Sequence, residues 1–180
     1  MKLTRKHWVI FSVTPLGLIL DQVSKLIIHA NLRPFSEIVL IPGYLDLIFV
    51  TNHGLAFGMF SGKLGSAATW IFLGITIVAL GIIIHLFFRT ENKAVLLPTA
   101  LSLVLAGALG NLIDRFRWGY VVDFINMHYQ SHYWPTYNVA DILITFGIIL
   151  LILDSFRPQP ETQPAAENIQ GEKKEKAGAE

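Results

Sequence analysis

The chain has 180 residues, no cysteine and few charged side chains. The missing cysteine excludes a disulfide framework, a thiolate nucleophile and a cysteine metal site. Charged residues make up 15% of the chain, whereas an average soluble domain has about 25%. The fourteen basic residues nearly balance the thirteen acidic ones, so the charge gives no reason to expect nucleic-acid binding. With 53% hydrophobic residues, this composition argues against a soluble globular protein.

The sequence contains long apolar runs with few or no charged residues. The runs 67–88 and 94–113 contain no Asp, Glu, Lys or Arg. At about 1.5 Å per helical residue, each is long enough for a bilayer core of about 30 Å. The runs 8–30 and 138–156 are similar in length and contain two acidic or basic residues each. We therefore predict an all-α integral membrane protein with four transmembrane helices. A secretory signal peptide is the alternative for the first run, but no cleavage-site pattern follows it.

The basic residues fall unevenly on the two sides of these four helices. An even number of spans puts both termini on one side, and cytoplasmic segments carry an excess of Lys and Arg. The side of the termini has nine basic residues: Lys2, Arg5, Lys6, Arg89, Lys93, Arg157, Lys173, Lys174 and Lys176. The other side has four: Arg33, Lys63, Arg115 and Arg117. We predict cytoplasmic termini, with the loops 31–66 and 114–137 on the outer face.

The two outer loops differ in character. The runs 37–41 and 45–52 are rich in aliphatic residues and flank Pro42-Gly43, which predicts two short strands and a turn, a small extracytoplasmic β element. The second loop is rich in aromatic residues and suits a membrane interface. Residues 52–62 contain three glycines among aromatics and predict a mobile flap. Residues 1–156 thus form one membrane domain, and the proline-rich, mixed-charge segment 157–180 predicts a disordered cytoplasmic tail.

Polar side chains on three helices share one predicted depth. Asp21, Asn111 and Asp141 lie about 20, 27 and 22 Å from the cytoplasmic ends of their runs. All three therefore fall in the outer half of the membrane, where ionisable groups are costly and are functional candidates. Further charged residues follow just beyond the predicted end of the third helix: Asp114, Arg115 and Asp123. This convergence predicts a site near the outer face.

The same residues also have structural interpretations. Asp21 and Lys25 lie four apart on one helical face, as in an internal ion pair. Asp141 fits an acidic residue in the first turn of a helix, and Asp123 fits a solvated loop carboxylate. Small residues recur at a spacing of four in the third helix, a pattern that lets helices pack closely: Ser102, Ala106 and Gly110, and separately Gly107 and Asn111.

Other functions have weaker support in the residues. His128 and His132 are spaced like two zinc ligands on a helix, but no acidic third ligand stands near them. No His-Glu-x-x-His metalloprotease motif is present. A small polytopic transporter would line a path with intramembrane polar groups, and a membrane assembly factor would use the same groups only to hold its helices together. Both alternatives stay open at this point.

Five blocks of residues resemble, in order, the lipoprotein signal peptidase family, the type II signal peptidases of bacteria. The blocks are Asp21-Gln22-Val23-Ser24-Lys25, Asn52-His53-Gly54-Leu55-Ala56-Phe57, 107–115, Val122-Asp123-Phe124 and Tyr137-Asn138-Val139-Ala140-Asp141. The resemblance covers about residues 8 to 156. His53 and Leu55 depart from it, since the family often has smaller residues there.

The resemblance implies a membrane aspartic endopeptidase of the bacterial inner membrane, with its active site near the outer face. It would remove the signal peptide from a diacylglyceryl-modified prolipoprotein by cutting just before the lipidated cysteine. Asp123 and Asp141 would be catalytic. The other residues of the blocks would bind substrate: Asp21, Asn52, Gly54, Asn111, Arg115 and Asn138. The implied partners are the lipidated prolipoprotein and membrane lipid, without nucleic acid, metal or cofactor.

Overall fold

The structure, a computed structural model, describes residues 3–34, 36–53, 66–90 and 94–157. The described part folds into four helices and a small antiparallel sheet. In chain order these are α1 Arg5–Asn31, β1 Glu37–Ile41, β2 Leu45–Asn52, α2 Ser66–Arg89, α3 Leu96–Trp118, β3 Val121–Tyr129, β4 His132–Tyr133 and α4 Val139–Ser155. The predicted helical class with a β element is confirmed, and β1 and β2 have the predicted bounds.

Two of the helices meet the length and composition expected of a membrane span. Within the described residues these are α1, with 27 residues, and α3, with 23. The apolar part of α2 covers Leu73–Arg89, and α4 has 17 residues. Large apolar side chains such as Trp8, Phe11 and Val78 point outward from the bundle and are more than half exposed. Exposed apolar surface of this extent indicates contact with lipid or another apolar partner.

The central helix is α3, which packs against each of the other three helices. Two of its glycines permit the closest approaches. A Cβ atom on Gly107 would collide with the main-chain oxygen of Ala140, and one on Gly110 would collide with the carboxylate of Asp21. The predicted packing role of the small residues is thereby confirmed for these two positions, which bring α1, α3 and the start of α4 together.

The end of α3 differs from the prediction. The sequence predicts that the helix ends at Ile113, but it continues to Trp118 and ends at Gly119, whose φ is +79°. Glycine adopts this left-handed conformation readily, and Arg115 and Arg117 are favourable near the negative end of the helix dipole. The segment that follows α3 therefore begins at residue 119 instead of 114.

The sheet has the order β1-β2-β3-β4, with antiparallel neighbours throughout. β3 and β4 lie in the aromatic-rich segment 114–137, where no strands were predicted, and β3 covers residues 121–129. The run is rich in Val, Ile and aromatic residues, which favour strands. Val122 and Phe124 of β3 pack on Ile28 and Leu32 of the α1 end, which fixes the sheet against one end of the helix bundle.

At the opposite end of the bundle, Lys6 connects the start of α1 to the end of α2. Its buried ammonium group donates to the main-chain oxygens of Thr90 at 2.6 Å and Phe87 at 3.4 Å. The start of α1 and the end of α2 therefore lie at the same end, away from the sheet. This arrangement agrees with the predicted side of the N-terminus and of the segment between α2 and α3.

Candidate active site

Asp123 lies on β3 with its side chain turned into the protein, and the residue is 2% exposed. Asn52 Nδ2 donates to its Oδ2 at 2.8 Å, and Asn138 Nδ2 donates to its Oδ1 at 2.6 Å. Burial, followed by the negative charge of Asp141, raises the pKa of Asp123 to about 7, although the two amides favour the charged form. The interpretation of Asp123 as a solvated loop carboxylate was wrong, because β3 buries it.

Asp141 lies in the first turn of α4 and forms a reciprocal cap with Asn138. The Asp141 main-chain N–H donates to Asn138 Oδ1 at 3.1 Å, and the Asn138 main-chain N–H donates to Asp141 Oδ2 at 3.2 Å. Asn111 Nδ2 donates to the other carboxylate oxygen at 3.0 Å. The predicted cap is confirmed. Because Asn138 contacts both Asp141 and Asp123, the cap also brings the two carboxyl groups to one site.

Lys25 is the buried cation of this region, with a side chain that is 0% exposed. Its Nζ lies 2.9 Å from Asp21 Oδ2, 2.9 Å from Asp114 Oδ2 and 2.9 Å from Asn111 Oδ1. The predicted ion pair within α1 is confirmed and extends to α3. An ammonium group only donates hydrogen bonds, so it holds the Asn111 oxygen toward itself and leaves the Asn111 amide to donate to Asp141.

Gln22 and Asp114 complete the polar contacts between the helices. Gln22 Nε2 lies 2.9 Å from Asp114 Oδ1 and 3.2 Å from Asp21 Oδ2. The main-chain N–H of Val122 donates to Asp114 Oδ2 at 3.2 Å, and that of Ala140 donates to Asp21 Oδ1 at 2.8 Å. Asp114 is one of the charged residues whose convergence predicted a site, whereas Gln22 was given no role, although it lies inside a matched block. Together these contacts join α1 and α3 to the strands and to α4.

The remaining predicted residues have different outcomes. Arg115 Nη1 donates to Asn111 O at 3.0 Å, and its guanidinium is close enough to interact electrostatically with Asp141, Asp114 and Asp123. Gly54 and most of the predicted flap lie outside the described residues. Contact with substrate stays a prediction for all six residues that were expected to bind it.

A cavity of about 720 Å³ reaches Asp141 from the side of the sheet. Its walls are mainly aromatic and come from the turn before β2, from β3 and β4, from the segment after β4 and from α4: Tyr44, Tyr129, Tyr133, Trp134, Tyr137 and Phe146. His128 also lines it, and its Nε2 lies 2.8 Å from Asp46 Oδ2. A carboxylate in the wall of an aromatic cavity suits an amphipathic chain with a polar bond near Asp141.

Comparison with known proteins identifies the family. Residues 13–157 match the family model described as signal peptidase (SPase) II. The chain belongs to the signal peptidase II family. A lipoprotein signal peptidase of Pseudoalteromonas atlantica is 40% identical over 139 residues, which cover 77% of this chain and 84% of the relative. One from Ectopseudomonas mendocina is 40% identical over 161 residues, which cover 89% and 94% respectively.

Signal peptidase II membership agrees with the fold. A solved structure described as a bacterial membrane enzyme is 30% identical and superposes with a TM-score of 0.75, covering 89% of this chain and 98% of its own. The family indicated by the five blocks of residues is therefore confirmed, and the chain is a signal peptidase. A transporter or an assembly factor is not favoured. In this signal peptidase II, residues from α1, α3, both long strands and α4 meet around Asp123 and Asp141.

Proposed function

We propose that the protein is an aspartic endopeptidase that removes the signal peptide from diacylglyceryl-modified prolipoproteins, cutting just before the lipidated cysteine. The observation that carries this proposal is the pairing of Asp123 and Asp141 through Asn138, whose side-chain and main-chain N–H groups each donate to one of the two acids. Two carboxyl groups brought together in a buried site tend to share one proton, which provides an acid and a base in one place.

The shared proton belongs on Asp123 near neutral pH. Its pKa of about 7, raised first by burial and then by the charge of Asp141, keeps much of the carboxyl protonated. Asp141 receives hydrogen bonds from Asn111 and Asn138, and the N-terminus of α4 also favours negative charge there. These contacts support Asp141 as the base and Asp123 as the acid.

The chemistry follows from that division. Asp141 accepts a proton from water as the water oxygen attacks the scissile carbonyl carbon. Asp123 donates a hydrogen bond to the carbonyl oxygen, on which negative charge develops. When the carbon–nitrogen bond of the resulting tetrahedral intermediate breaks, a proton passes to the leaving amine, so one water is consumed and no covalent enzyme intermediate forms. The buried Lys25 network keeps Asn111 oriented toward Asp141 during these steps.

The membrane setting supports a lipidated substrate. We propose that all four helices span the bilayer, with cytoplasmic termini and the sheet on the outer side. The predicted tail lies outside the described residues from position 158 onward. The acyl chains of the substrate then stay in the outer leaflet while the peptide lies along the aromatic cavity beside Asp141. In this arrangement Asn52, Asn111 and Asn138 orient the acids, and Asp21 holds the start of α4.

A cleavage assay with purified protein in detergent tests the function. A lipidated prolipoprotein should be cut just before its cysteine, and the same protein without diacylglycerol should be cut far more slowly. As pH rises through about 7, Asp123 loses its proton, so kcat should fall on the alkaline side. Equal cleavage of the unlipidated protein would contradict the substrate class, and a rate that keeps rising well above pH 7 would contradict Asp123 as the acid.

Reporter fusions test the proposed topology separately. A reporter fused at Lys93 should be active in the cytoplasm, and one fused at Lys63 should be active outside, as the distribution of basic residues predicts. A cytoplasmic signal at Lys63 would contradict the depth assigned to the acids.

A further inference from the structure

His53 directly follows Asn52, the last residue of β2 and the last one paired with β3. The register pairs Thr51 with Val122 and Asn52 with Val121, so the next position across the sheet from His53 is Tyr120. Their rings are in contact, with centroids 5.4 Å apart and planes at 61°. Aromatic pairs that face each other across antiparallel strands stabilise the pairing. His53 thus closes the end of β2 with a ring contact.

Tyr120 is itself held in a longer series of rings. It stacks on Trp118 at 6.3 Å, and Trp118 stacks on His29 of α1 at 4.8 Å with planes 6° apart. The His29 ring meets Phe49 of β2 edge-on at 5.5 Å. The partner of His53 is therefore fixed to α1, to the end of α3 and to β2. A ring that packs on Tyr120 is held by the helix bundle as well as by the sheet.

Asn52, the neighbour of His53, is the last residue of β2 and the donor to Asp123 Oδ2 at 2.8 Å. Successive residues of a strand point to opposite faces, and Asn52 lies diagonally across from Asp123 on the same face. His53 and Tyr120 therefore lie on the other face. Loss of the ring contact would weaken the pairing at this strand end, and a shift there would move the Asn52 carboxamide relative to Asp123.

We propose that His53 is a positioning residue, whose ring contact with Tyr120 holds the end of β2 so that Asn52 donates to Asp123. The proposal rests on the proposed function, because it assigns His53 a role in the chemistry of that acid. This role of His53 requires its aromatic ring but not its imidazole nitrogens. His53 is expected to act through Asn52 alone.

Loss of the contact between Asn52 and Asp123 would change the pKa of Asp123 in a defined direction. The charged and titratable groups that act on this carboxyl are Asp141 of α4, Lys25 of α1 and Arg115 of α3. The contact with Asn52 favours the charged form of Asp123 and so lowers its pKa. Loss of the Asn52 contact should therefore shift the alkaline limb of the pH–rate profile to higher pH. The expected shift is about one pH unit for one hydrogen bond to a charged carboxylate.

The test measures single-turnover cleavage of a lipidated prolipoprotein as a function of pH, with a melting curve for each variant. His53→Ala should move the alkaline limb upward, and His53→Phe, which keeps a ring without titratable nitrogens, should restore it. Tyr120→Leu removes the other ring and gives a second route to the same shift should His53→Ala not fold. Thr51→Ala, an exposed position on the same face of β2, is the matched control and should keep the wild-type profile.

A double-mutant cycle decides whether His53 acts through Asn52. Asn52→Ala should shift the limb at least as far as His53→Ala, and adding His53→Ala to it should shift the limb no further. The proposal is overturned if His53→Ala raises KM and leaves the limb unchanged, if His53→Phe fails to restore it, or if the two shifts add. A wild-type protein that does not cleave the substrate refutes the proposed function, whereas these results refute only the role of His53.

Discussion

Replacing Lys25 by Met is expected to destabilise the protein severely. The Lys25 ammonium group is completely buried and lies 2.9 Å from a carboxylate oxygen of both Asp21 and Asp114. Removing one partner of a buried ion pair typically costs about 3–5 kcal/mol, because the remaining charge has no compensation. Lys25→Met leaves two such carboxylates. For a chain of this length the melting temperature should fall by about 6–20 °C.

Thermal unfolding in detergent or bicelles measures this loss, with Lys6→Met as the matched control. Lys6 is also buried, but its ammonium group donates to main-chain oxygens of Phe87 and Thr90. Its removal leaves unpaired carbonyl groups, whose cost is smaller than that of unpaired charges. Adding Asp114→Asn to Lys25→Met should recover part of the loss, because it removes one of the uncompensated charges.

Two outcomes would refute this reasoning. One is a Lys25→Met protein that melts within about 2 °C of wild type, which corresponds to less than about 1 kcal/mol. The other is a double variant with Asp114→Asn that is less stable than Lys25→Met alone. Either result would mean that the acids around Lys25 are not buried anions held by this lysine.

Two further predictions concern packing and protonation. Gly107→Val should lower both melting temperature and turnover, because the new side chain would collide with Ala140 of α4. Gly74 faces open space, so Gly74→Val should change neither quantity. Equal losses for the two variants would contradict the packing argument. The pKa of Asp123 is raised from 3.8 to about 7, so the wild type should lose stability as pH rises through this window, and Asp123→Asn should gain in melting temperature relative to it. If melting temperature depends on pH in the same way for the wild type and for Asp123→Asn, the pKa of Asp123 is not raised.

The sequence predicted the elements whose signals are local. The bounds of β1 and β2 follow from two aliphatic runs around Pro42-Gly43, and the cap of α4 follows from Asn138 and Asp141. The ion pair of Asp21 with Lys25 follows from their spacing of four in one helix. In each of these cases the interacting residues are close in the chain, so the spacing alone determines the geometry.

The features that the sequence did not predict depend on contacts between distant residues. β3 contains Asp123 and Asn126, residue types that are depleted in strands, and its aromatic ending resembled an interfacial loop. Its strand conformation depends on pairing with β2 and on packing over Ile28. The contacts of Lys25 with Asp114 and Asn111 join positions about 90 residues apart, and no periodicity predicts them.

The central claim is that Asp123 and Asp141 act as a catalytic pair, and single-turnover cleavage of a lipidated prolipoprotein by their Asn variants tests it most directly. Asn keeps the shape of Asp and one of its two acceptor oxygens, but it cannot accept or donate the catalytic proton. Asp123→Asn and Asp141→Asn should each lower the rate by at least about 10²–10⁴-fold, the usual contribution of general acid–base catalysis, in proteins that remain folded. The double variant should be hardly slower than either single one, because the pair acts as a unit. Substantial turnover by a well-folded Asp123→Asn or Asp141→Asn protein would contradict the aspartic mechanism.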